Sequence, residues 1–166
     1  MQWALYVLAL VIAYLAHTTL PPAWIPGWLD LLLVIALVCG LAAPAAEARL
    51  AGWLAGFAQD VGTVGPLGLH AFALGAAVLL LTLMRDAVNR TLWWVRWLLA
   101  FVAAIPTQIV VSIHYRYYQF VETSWWSLIT SSLATALAAA LIAATITGLP
   151  AMLGRKRRGR PAHARW

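Results

Sequence analysis

Residues 69–90 read LHAFALGAAVLLLTLMRDAVNR, an apolar run from Leu69 to Met84 that stops abruptly at Arg85 and Asp86. An α-helix needs about 20 mostly apolar residues to cross roughly 30 Å of hydrocarbon, and this run approaches that length. Comparable runs lie on both sides of it. Span one covers Trp3 to Thr19, span two Trp28 to Ala46, and span three begins near Leu50. Span five follows the interfacial stretch 91-TLWWVRW-97 and reaches His114, and span six covers Trp125 to Leu149 and stops at Gly148 and Pro150. Charges or chain breakers separate the runs: 20-LPPAWIPG-27, Glu47 with Arg49, 62-GTVGPLG-68, 85-RDAVNR-90 and 115-YRYYQFVE-122. This pattern predicts an all-α, polytopic membrane protein with six transmembrane helices over residues 1–150 and a basic tail over 151–166. Span three, with its glycine-rich exit, either crosses fully or is re-entrant.

Composition supports the same class. Apolar and aromatic residues make up 64% of the 166 residues and charged residues 10%, with a mean hydropathy of +0.85. A soluble domain of this size needs more polar surface than that. The N-terminus, MQWALYVLALVIAYLA, lacks a basic stretch before its apolar run, so it reads as a retained span rather than a cleaved signal peptide. Ten tryptophans and five tyrosines gather near the run ends, among them Trp3, Trp24, Trp28, Trp93, Trp94, Trp97, Trp125 and Trp126. An aromatic belt at headgroup level explains those positions without a ligand cage.

The net charge of +6 is concentrated on one side. Alternate connections place Arg49, Arg85, Arg90, Arg96 and the six basic residues of 155-RKRRGRPAHARW-166 together, against Arg116 alone. By the positive-inside rule both termini should face the cytoplasm. The tail is suited to anionic lipids rather than to nucleic acid.

Few residues nominate chemistry. Asp60, in 52-GWLAGFAQDVGTVGPLGLHAF-72, has two readings. It is a proton or cation site with Gln59 or His70, or it anchors the next loop by accepting backbone N–H bonds; the lack of a second intramembrane carboxylate favours the anchor. Gly52 and Gly56 form a GxxxG step that lets helices approach closely. Span six carries a more diffuse version in 131-SSLATALAAALIAAT-145, with its partner either internal or another protein. Pro106 predicts a kink in span five, and Gln108 should face protein or water. Cys39 reads as a small core hydrophobe. His17, His70 and His114 have no metal-ligand spacing, and no nucleophile motif or carboxylate pair is present, so neither an enzyme nor a metal or cofactor protein is expected.

The stretch from Gly52 to Phe72, with its Gly56-x-x-x-Asp60 step, the turn through Pro66 and the Leu67-Gly68 pair, followed by an apolar span and Arg85, resembles the rod shape-determining MreD family. The specific match covers about 20 residues; length, span number and the basic tail agree more loosely. The resemblance implies a membrane scaffold of the bacterial elongation complex, acting in cell shape and lateral peptidoglycan synthesis. Its partners would be an MreC-like bitopic protein and other cell-wall elongation proteins, and its key positions Gly52, Gly56, Asp60, Leu67 and Gly68. The family is also similar in fold to the substrate-binding subunits of energy-coupling-factor vitamin transporters, which gives the alternative. That reading needs a pocket near the outer face, built from His70, His114, Tyr117 and Tyr118.

Overall fold

A computed structural model of the chain describes residues 2–21, 29–63, 65–88, 92–118 and 124–157, with side chains through residue 148. The described residues form six helices: α1 (Trp3–Thr19), α2 (Leu31–Ala42), α3 (Ala45–Gly62), α4 (Leu69–Ala87), α5 (Trp93–Tyr117) and α6 (Trp125–Arg157). No strand occurs among the described residues. Among the described residues three helices are long and apolar enough to cross a membrane: α4, α5 and the Trp125–Gly148 portion of α6.

Helix α2 is the central post, touching each of the other five. Its sequence, LLLVIALVCGLA, is apolar on every face, and such a helix is stable only when enclosed. Leu32, Leu33, Ala36 and Leu37 are accordingly sealed from the surface. At 12 residues it spans only about 18 Å at 1.5 Å per residue. The expected second span to Ala46 is therefore divided. Ala43 is extended because the following proline disfavours helical backbone before it, and Pro44 caps a new helix. Glu47 and Arg49, read as a connection, lie in the first turns of α3, where the Glu47 carboxylate suits the helix dipole. Helix α3 is continuous for 18 residues, about 27 Å, and ends in the expected glycine-rich breaker.

Two pairings dominate the packing, α3 with α4 and α5 with α6. The small residues of span six have an internal partner. Ala136, Ala139, Ala140, Ala143 and Ala144 are fully buried, as are Ala100, Ala103 and Ala104 on α5. Close backbone approach and dispersion contacts hold helices together where lipid is as apolar as the side chains. Helix α1 is peripheral, contacting only α2 and α3. One anchor is the Tyr6 hydroxyl, which donates to the Ala51 carbonyl at 2.6 Å.

Charged side chains tie down the end of the bundle opposite the Gly62–Gly68 turn. Arg85, 4% exposed, donates to the Gly40 carbonyl at the C-terminus of α2 at 2.5 Å. Arg49 donates to the Thr82 hydroxyl, and Arg96 to the Thr147 carbonyl at 2.6 Å. The Arg85 cation, bonded to one of the last carbonyls of α2, satisfies an orphan acceptor and complements the helix dipole. Arg85 was expected in a connection, but α4 continues to Ala87 and carries it inward. Helix α6 likewise passes the expected stop at Gly148 and Pro150 and runs to Arg157, across the boundary expected at residue 150. A membrane helix tolerates proline where neighbours satisfy the freed backbone group. Most of the 20–27 loop with Trp24 and Trp28, Arg90, residues 119–122 of the 115–122 loop, and the basic side chains of the tail lie outside the described residues.

Candidate polar site at the helix ends

Gly56, Asp60 and Gly68 act as one device at the α3–α4 turn. A Cβ on Gly56 would stand 2.5 Å from Ala71 Cα, so only glycine allows the first turn of α4 to lie against α3. A Cβ on Gly52 would meet Val78 at 2.7 Å one turn away. Gly68 caps α4 with a left-handed φ of 103°, a conformation that favours glycine. Having no side chain, it leaves the first N–H groups of α4 without a local cap. Asp60 supplies the cap from the preceding helix. One carboxylate oxygen accepts from Gly68 N at 2.9 Å and Ala71 N at 3.0 Å. The other accepts from His70 N and faces His70 Nδ1, both at 2.9 Å. Four donors thus converge on a side chain that is 2% exposed, and the positive end of the helix dipole lies beside it. Asp60 therefore anchors the loop through backbone N–H groups. His70 is its neighbour, whereas the Gln59 amide turns elsewhere. Leu67 is 74% exposed and takes no part in this cap.

A second carboxylate completes the same end of the bundle. Asp30 caps α2, one oxygen accepting from Leu32 N and Leu33 N, each at 3.0 Å. Its other oxygen accepts from Gln59 Nε2 at 3.1 Å, joining α2 to α3. The sequence reading passed over Asp30, although aspartate directly before the run LLLVIALV is a helix-start signal.

Between these groups lies a polar cavity of about 230 Å³. Its wall takes in Asp30 from α2, Gln59 from α3, His70 from α4, Thr107, Gln108 and Tyr115 from α5, and Thr135 from α6, with His17 of α1 at the edge. Thr107 and Thr135 are buried, and their hydroxyls donate to Ala73 O at 3.1 Å and to Ser131 O at 2.9 Å. The Gln59 amide is oriented by Asp30, since only its NH₂ can face a carboxylate. This leaves Gln59 Oε1 buried with no protein partner. Of the pocket residues expected from the transporter resemblance, only His70 is present. Tyr117 and Tyr118 are exposed, because they sit at the frayed end of α5, and the His114 ring packs on Tyr118 at 4.6 Å. Gly52 and Gly56 lie outside the cavity, at the close contact of α3 with α4.

No family model, curated protein or solved structure matches this chain.

Proposed function

We propose that the chain is a six-span scaffold of the bacterial cell-elongation complex, seated in the inner membrane and engaging an MreC-like bitopic partner and other cell-wall elongation proteins. The observation that supports this reading is the convergence of the residues behind the MreD resemblance. Gly56, Asp60 and Gly68 lie apart in sequence yet form one joint, in which close approach, remote capping and a left-handed turn depend on each other. A chance likeness of three residues carries no such requirement. Six crossings also agree with how the short α2 is finished. Its N-terminus is capped by Asp30 and a C-terminal carbonyl is met by Arg85, so its backbone ends are satisfied inside protein. Arg49, Arg85 and Arg96 share one end of the bundle, which becomes the cytoplasmic end together with both termini and a lipid-binding tail.

A second reading, a substrate-binding subunit of an energy-coupling-factor transporter, is favoured by the polar cavity at the opposite end. Crosslinking the tagged protein in its native membrane and identifying the captured proteins separates the two. An MreC-like protein with cell-wall synthases supports the scaffold; a coupling subunit with paired ATPases overturns it in favour of the second reading. Orientation is tested with an impermeant thiol reagent on a Cys39→Ala background. Arg116→Cys should label from the outside, and labelling only after membrane disruption would reverse the topology.

A further inference from the structure

The wall carries donors in the Gln108 amide and the Tyr115 hydroxyl, but its buried side-chain atom without a partner is an acceptor, Gln59 Oε1. Both Asp60 oxygens already face backbone N–H groups, so the group it meets at His70 Nδ1 is the ring N–H. Gln59, 9% exposed, spends its donor on Asp30 and turns a carbonyl oxygen without a partner toward the interior. The hydroxyls of Thr107 and Thr135 spend their hydrogens on helix carbonyls and keep lone pairs for the cavity. Asp30 adds a carboxylate, and no lysine or arginine stands in the wall to answer it.

An unmatched buried carbonyl is destabilising, so a group that donates to Gln59 Oε1 gains from entering. Acceptors on three helices around one carboxylate, with no lysine or arginine in the wall, favour positive charge and N–H donors. The volume of about 230 Å³ is below the ~300–1,000 Å³ common for ligand pockets, which restricts the occupant to a few heavy atoms. From this complementarity we infer that the cavity binds a small organic cation of the protonated primary-amine class, held by Asp30 and Gln59 and bounded by His70, Thr107 and Thr135. The inference extends beyond the scaffold reading and gives the second reading a ligand class.

The test uses the purified full chain in lipid nanodiscs and three four-carbon probes: putrescine, butane-1,4-diol and succinate. Calorimetry should show saturable one-to-one binding of putrescine and none of the diol or the diacid. Gln59→Met should weaken putrescine at least tenfold. Because that change also removes a partner of Asp30, Thr135→Val supplies the independent check. It deletes an acceptor on the opposite wall without orphaning a fixed donor, and should weaken binding about threefold or more. Absence of putrescine binding, equal binding of the diol, or unchanged affinity in a folded Thr135→Val protein would each overturn the inference and leave a water-filled cavity. Binding is read on the isolated chain, whereas partner capture is read in the membrane, so failure of one leaves the other standing.

Discussion

Replacing Gly56 with alanine sets two effects of opposite sign against each other. In an exposed helix the change stabilises by about 1 kcal/mol, because glycine is the poorer helix former. Here the new methyl would lie 2.5 Å from Ala71 Cα and from the His70 carbonyl carbon, both of them backbone atoms that no rotamer change can move. Overpacking of a close-packed interior costs about 1–3 kcal/mol, and a backbone obstacle belongs at the upper end. Relief requires the first turn of α4 to move away from α3, which lengthens the bonds from Gly68, His70 and Ala71 to Asp60. The net expectation is a loss of about 2 kcal/mol or more, roughly 4–8 °C in melting temperature for a chain of this size. The assay is thermal unfolding of the detergent-solubilised protein followed by tryptophan emission and size exclusion. Gly68→Ala serves as a comparison, since a Cβ there meets nothing within 4 Å and only the left-handed φ opposes it. A Gly56→Ala protein as stable as the parent, or more stable, would refute the close α3–α4 approach.

Other substitutions address the remaining joints. Asp60→Asn turns an NH₂ toward two backbone donors and should destabilise by about 2 kcal/mol, measured by the same melt; full stability and function would exclude both the remote cap and any proton-relay role. Asp30→Ala should cost about 1 kcal/mol as a lost helix cap while Asp30→Asn costs less, a ranking read from paired melting curves. Arg85→Leu leaves the Gly40 carbonyl without its cation and should lower stability by about 1–3 kcal/mol, seen as reduced membrane accumulation and an earlier melt. Cys39→Ala, at a half-buried thiol, should stay within about 1 kcal/mol of the parent in the same melting assay.

The sequence by itself determined an apolar, all-helical chain and the rough order of its helices. Long apolar runs fold as helices that face one another or lipid, and the glycine-rich breaker at 62–68 marks a turn whatever surrounds it. The first and fourth helices begin where periodicity and glycine chemistry put them, at Trp3 and Leu69. It also made Asp60 stand out, because a carboxylate amid apolar residues must be answered by something. What answers it was decided only in three dimensions. The donors at Gly68, His70 and Ala71 are eight to eleven residues away, and their aim depends on how closely Gly56 lets α4 approach. Tertiary structure likewise drew Arg85 inward to the end of α2 and turned Gln59 from Asp60 to Asp30, whereas the break in span two at Pro44 is local to the chain. Hydropathy is a property of segments and survives any rearrangement of them. Hydrogen-bond partnership and cavity lining belong to pairs of helices, so they are fixed only when the packing of small residues sets which helix ends meet.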